Sequence, residues 1–176
     1  AYEIVSRDWS SDVCSSDLRR VPTPLGEVTV VADDDWLTEL HLPGDDGVVP
    51  DGAVEGGPSV DRAGQQLGEW FARTREHFDL PLAPVGTAFQ RRVWAALVAV
   101  PYGETASYGD VAAAIGQPTA TRAVGAANGR NPIPLIIPCH RIIGTDGSLT
   151  GYSGGGGIET KRYLLDFEQG VLTLEV

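Results

Sequence analysis

Cys139 stands in the run Ile137-Pro138-Cys139-His140-Arg141. A cysteine deprotonated to its thiolate is the strongest nucleophile among the common side chains. Pro138 and the proline-rich approach from Asn131-Pro132-Ile133-Pro134 restrict the backbone that presents it. His140 follows directly, and Glu168 supplies a carboxylate downstream. A histidine polarised by a carboxylate can take a thiol proton, directly or through a water. Sequence neighbours need not touch through their side chains, and a cysteine after an apolar run is most often core. These residues alone therefore leave open a core cysteine and a nucleophilic one, a cysteine hydrolase included. The chain has two cysteines and no CxxC or Cys/His cluster, so no metal site is expected.

The elements that must position these residues begin with a strand at Glu27–Ala32, a turn at Asp33-Asp34-Asp35 and an alternating strand over Trp36–Leu42, which together read as an antiparallel hairpin. Residues 43–58 are rich in Gly, Pro and Asp and read as loop. Ala63, Leu67, Trp70 and Phe71 then recur at helical spacing, which predicts a helix from Ser59 to about Phe78. The proline-rich 80–86 stretch marks a boundary between an N-terminal α/β domain over 19–86 and a second domain over 87–170, followed by a tail over 171–176. In the second domain Thr87 and Gln90 form a capping box for a helix carrying Phe89, Val93, Trp94 and Leu97. Ser107 opens a helix that stops at Gly116, and Thr119 is placed to cap another over Ala120–Ala127. Two short helices joined by Gly116-Gln117-Pro118 form a helix-turn-helix or a plain helical hairpin. A glycine-rich loop over 144–157 and a closing helix over Glu159–Glu168 complete the chain. The expected fold class is α+β: a small N-terminal α/β domain with an antiparallel sheet, then a mostly helical, winged-helix-like domain.

Residues 1–18 are set apart. Residues 8–18 match the translation of a common sequencing adapter in one frame, so they are expected to be non-native and to carry no function. Cys14 belongs to them, and a disulfide to Cys139 is not expected. The chain opens on Ala rather than Met, which suits a fragmentary gene model. No charged-then-apolar leader and no long apolar span is present, so a cytoplasmic protein without membrane association is expected.

The net charge of −11 looks wrong for a DNA binder until it is divided along the chain. Residues 19–87 hold five basic and thirteen acidic side chains, at −8, whereas residues 88–168 hold seven and six, at +1. Any DNA surface belongs to the second half, with few phosphate contacts and a salt-sensitive affinity.

Residues 88–168 resemble the C-terminal domain of the O6-alkylguanine-DNA alkyltransferases. The likeness rests on Arg122-Ala123-Val124-Gly125-Ala126-Ala127-Asn128, on Asn131-Pro132 through Pro138-Cys139-His140-Arg141, on Tyr152-Ser153-Gly154, and on Lys161-Arg162-Tyr163-Leu164-Leu165 through Glu168. The resemblance implies irreversible, stoichiometric transfer of an alkyl group from O6-alkylguanine, and from O4-alkylthymine, to Cys139. His140 is implied as the base reached through a water and Glu168 as its orienter. Tyr108 is implied as the proton donor to the leaving base and Asn131 as a hinge residue. Arg122 is implied to fill the gap left by a flipped nucleotide, with Ala123, Gly125, Ala126 and Arg141 at the DNA and Ile142, Tyr152 and Ser153 around the base. The implied partner is double-stranded DNA, read from the minor groove by a monomer that needs no cofactor. The small residues of 120–127 suit close approach to a narrow groove, and extrusion of a stacked base is what chemistry at its O6 demands. Gly154-Gly155-Gly156-Gly157 is longer than the glycine run typical of the family, which suggests room for bulkier alkyl groups.

Overall fold

The computed structural model describes residue 4 and residues 16–45 and 50–171. The chain divides into two compact units, residues 1–85 and 86–176.

In the first unit, β1 (Ser16–Thr23), β2 (Gly26–Asp33), β3 (Trp36–His41) and β4 (Val54–Glu55) form a sheet in the order β3-β2-β1-β4. The β1–β2 and β2–β3 pairs are antiparallel, and β4 joins β1 in parallel. The expected hairpin is therefore β2–β3, but it is extended by a strand absent from the expectations. Of the segment set apart, residues 1–3 and 5–15, Cys14 among them, lie outside the described residues. Ser16, Asp17 and Leu18 open β1, with Leu18 buried opposite Val31. β4 lies within the stretch expected to be loop.

Helix α1 (Pro58–Phe71) packs on this sheet and buries Val60, Ala63, Leu67 and Trp70. Gly64 allows the close approach: a Cβ there would lie 3.0 Å from the Arg19 side chain. The helix ends at Phe71, short of the expected Phe78. Arg73 adopts a left-handed conformation (φ 58°), and the Thr74 N–H reaches back to the Glu69 carbonyl at 2.9 Å while the Arg73 N–H reaches that of Trp70. This is a Schellman stop with arginine where glycine is usual, which is why spacing alone overran it.

In the second unit, α2 (Ala88–Val98), α3 (Tyr108–Ala114) and α4 (Thr121–Asn128) pack on one another. Both capping boxes are formed, Thr87 with Gln90 and Ser107 with Asp110. Helix α4 begins later than expected: its N-cap is Ala120, with no side-chain cap, and Thr119 does not cap it. Trp94 donates from Nε1 to the Ala127 carbonyl at 2.9 Å, tying α2 to the end of α4. The chain then makes a tight turn at Pro138 (φ −80°, ψ 64°), where the Cys139 N–H meets the Ile137 carbonyl at 2.8 Å. That is an inverse γ-turn, which proline's fixed φ favours. Cys139–Arg141 form one 3-10 turn, and β6 (Ile142–Ile143) pairs in parallel with β5 (Ala106–Ser107). This two-residue ladder sets the site: β5 runs straight into Tyr108, and β6 leaves straight from Arg141. Helix α5 (Ile158–Glu168) closes the unit against the 139–141 turn.

Candidate active site

Cys139 is buried, 4% exposed, at the start of the 3-10 turn. Burial pushes its thiol up to about 11, against the opposing pull of an Asn131 side-chain hydrogen bond and the Lys161 charge. The resting group is a thiol, and its proton must leave as the sulfur reacts.

His140 and Glu168 are brought together. His140 is fully buried, and its Nε2 lies 2.8 Å from Glu168 Oε1. Burial opposes ionisation of Glu168, but the hydrogen bond from His140, and then the hydrogen bonds and charge of Arg141, hold the carboxyl at about 2. An ionised carboxylate only accepts, so His140 carries its proton on Nε2. Its Nδ1 is then a lone-pair acceptor, buried and without a hydrogen-bond partner among the described residues. Burial, with the Arg141 and Lys161 charges, pulls the imidazole pKa below its ordinary value and keeps the ring neutral despite Glu168. A neutral histidine with a free Nδ1 is equipped to accept a proton.

Arg141 is not at a DNA-facing surface, in contrast to the expectation. It is 5% exposed. Its Nε and Nη2 donate to Glu168 at 2.9 to 3.2 Å, and Nη1 donates to the Val100 carbonyl at 2.7 Å. The Gly103 N–H also reaches Glu168 Oε2, at 3.1 Å. A buried carboxylate needs such compensation, and Arg141 meets that need.

Tyr108 is half-buried and donates to the Thr150 carbonyl at 2.7 Å. Burial raises its pKa, so the phenol stays protonated. Asn131 bonds the Ile137 carbonyl through Nδ2 (2.7 Å) and receives the Ile133 N–H (3.0 Å), fixing the bend that leads to Cys139. Ile142 is fully buried, Tyr152 is buried, and Ser153 is exposed with its hydroxyl on the Gly129 carbonyl at 3.2 Å. On α4, Arg122, Ala123 and Ala126 are exposed, and Gly125 faces the Tyr108 ring, 3.9 Å from where a Cβ would sit. Between α4 and the 149–153 segment lies a cavity of about 500 Å³ bounded by Gly125, Gly129, Thr150, Gly151 and Ile158. Among the described residues no cluster of His, Cys, Asp or Glu could hold a metal, and no helix is long and apolar enough to cross a membrane.

Sequence alone assigns Lys161 no role, yet it is fully buried in the site. Its Nζ donates to the Ile142 carbonyl and, at 2.7 Å, to that of Thr150, and it lies 5.8 Å from the Tyr108 ring centroid. Burial brings its pKa down to about 8. Its signal was in the register of α5: Lys161, Leu164, Leu165 and Glu168 share the buried face at i, i+3, i+4 and i+7, and two charges on such a face call for partners.

The fold is α+β, and its site sets a buried cysteine at the head of the 3-10 turn that carries a buried histidine–carboxylate–arginine chain. Residues 88–170 match the family model for the 6-O-methylguanine DNA methyltransferase DNA-binding domain. The chain is 47% identical over 152 residues to the constitutive methylated-DNA–protein-cysteine methyltransferase of Bacillus subtilis, covering 84% of this chain and 92% of that protein. It is 48% identical over 158 residues to the corresponding Mycobacterium tuberculosis protein, covering 86% and 91%. The crystal structure of Mycobacterium tuberculosis OGT in complex with DNA superposes with a TM-score of 0.81 at 43% identity, over 90% of this chain and 96% of that one. The chain belongs to the methylated-DNA–protein-cysteine methyltransferase family.

Proposed function

We propose that this protein repairs DNA by direct reversal, moving the alkyl group of O6-alkylguanine, and of O4-alkylthymine, irreversibly onto Cys139. The observation that carries the reading is a buried cysteine followed, in the same 3-10 turn, by a buried histidine whose Nδ1 has no hydrogen-bond partner among the described residues. The sulfur attacks the alkyl carbon, a carbon–sulfur bond forms and the carbon–O6 bond breaks. The thiol proton passes to His140 Nδ1 through a water, with Glu168 fixing the tautomer. Tyr108, kept protonated by burial, gives a proton to N3 of the departing base, which leaves neutral. Asn131 holds the bend before Cys139. The base, extruded from the stack, is received near Ile142, Tyr152 and Ser153. Arg122, Ala123, Gly125 and Ala126 meet the minor groove of double-stranded DNA, where Arg122 occupies the gap left by the flipped nucleotide. Residues 8–18 take no part. A thioether is stable and the chemistry draws on no cofactor, so each molecule, acting as a monomer, serves once. The need for a free thiol suits the reducing cytoplasm.

Cys139→Ala tests the reading. It should abolish transfer from duplex DNA carrying O6-methylguanine while lesion binding persists; transfer by the variant would reject Cys139 as acceptor.

A further inference from the structure

Asn128, at the last turn of α4, is a polar side chain that the reaction above does not use. It is 2% exposed. Its Nδ2 lies 3.4 Å from the Cys139 carbonyl and 3.4 Å from that of Gly151. The assignment of the amide is forced, because two carbonyl acceptors require the NH₂ end. Its Oδ1 is buried with no hydrogen-bond partner among the described residues.

Such an arrangement is poor for stability. Two long hydrogen bonds give little, and an unpaired buried carbonyl oxygen is a net cost to the fold. Cys139 does not depend on the contact, since the Ile142 N–H already bonds its carbonyl. What the amide does connect is specific. It joins the helix whose opposite side exposes Arg122, Ala123 and Ala126 to the backbone of the cysteine and to the cavity wall at Gly151. Gly151 in turn governs Tyr108: at φ +66°, a Cβ there would lie 2.5 Å from the Tyr108 hydroxyl. One amide thus spans the exposed helix, the sulfur-bearing residue and the segment that seats the phenol.

We infer that Asn128 is a positioning residue, which holds the Cys139 backbone and the Gly151 wall in register with α4 so that a base delivered by DNA docking meets the sulfur at reacting distance. The inference rests on the transfer reaction proposed above. Small displacements at a reacting centre can cost about a hundredfold in rate, whereas the docking surface lies on the other side of the helix.

The test uses Asn128→Leu, which keeps the branched shape without the donor, and Asn128→Asp, which keeps the size. Lesion-DNA affinity, the first-order transfer rate at saturating DNA and the thermal midpoint are measured for each and for the unaltered chain. The expected result is a transfer rate at least about tenfold lower, affinity within about twofold, and for the leucine variant a thermal midpoint equal to or above that of the parent. A purely structural asparagine would instead lower the midpoint and leave the rate of the folded fraction intact, which overturns the proposal. Variants that yield no DNA-binding protein also overturn it, by assigning Asn128 to folding. Failure of the unaltered chain to transfer methyl would reject the function itself, a result distinct from equal rates in parent and variants.

Discussion

Glu168 and His140 form a proton-linked pair whose behaviour follows from burial and partners. The Glu168 carboxyl is held at about 2 against an ordinary 4.5, and the His140 imidazole lies below its ordinary 6.5. Both groups bind protons more readily in the unfolded chain, so both contribute stability that is complete above about pH 6.5 and lost as pH falls. His140 contributes the first decline, and Glu168 contributes a further loss, on the order of 3 kcal/mol, between about pH 4.5 and 2. Urea unfolding from pH 8 to 3 should therefore show the midpoint fall in two steps, and a midpoint unchanged between pH 7 and 4 would contradict it. Glu168→Gln should remove the lower step and cost about 3–5 kcal/mol at neutral pH, because it leaves Arg141 buried without its counter-charge. Cys139 and His140 stood out in sequence because they are adjacent and preceded by Pro138. The partners of Arg141 and Lys161 were not, since a charge's burial depends on residues brought together from distant segments, and Arg141 in particular reads as a surface cation until Glu168 is placed beside it.

At the scale of elements, the chemistry depends on two short devices. The Ser107–Asp110 capping box starts α3 with Tyr108 as its first residue: the Ser107 hydroxyl receives the Asp110 N–H at 3.0 Å, and the Asp110 carboxylate receives the Ser107 N–H at 2.8 Å. Ser107→Ala should cost about 1 kcal/mol in stability and slow transfer as the start of α3 loosens; an unchanged rate alongside the lost stability would show that the phenol is held by Thr150 alone. The box was readable from Ser107 and Asp110 because it is local. The β5–β6 ladder that sets Tyr108 beside the cysteine turn was not, since two residues carry no alternation. Strand β1 carries no readable alternation for another reason: Arg19 and Arg20 break its pattern, and both are exposed, Arg20 within reach of Glu27 and Glu55. The helix-turn-helix spacing, by contrast, follows from Gly116 at φ 73° and Pro118, which end one helix before the next begins.

Across the whole molecule, charge is divided between the halves, and the acidic total hides a second unit that is nearly neutral. Arg122 and Arg130 are exposed on and just beyond α4, and neither forms an ion pair among the described residues. Each phosphate neutralised shifts the slope of log K against log salt by about −0.9, so Arg130 at a phosphate predicts a slope made shallower by about 1 in Arg130→Ala. A slope unaffected by Arg130→Ala would place the phosphate contact elsewhere. A single irreversible transfer to one sulfur is measured by intact mass and peptide mapping after incubation with a large excess of O6-methylguanine duplex. The protein should gain the mass of one methyl group and no more, on the peptide containing Cys139. A modification elsewhere, or DNA demethylated beyond one equivalent per protein, would contradict it.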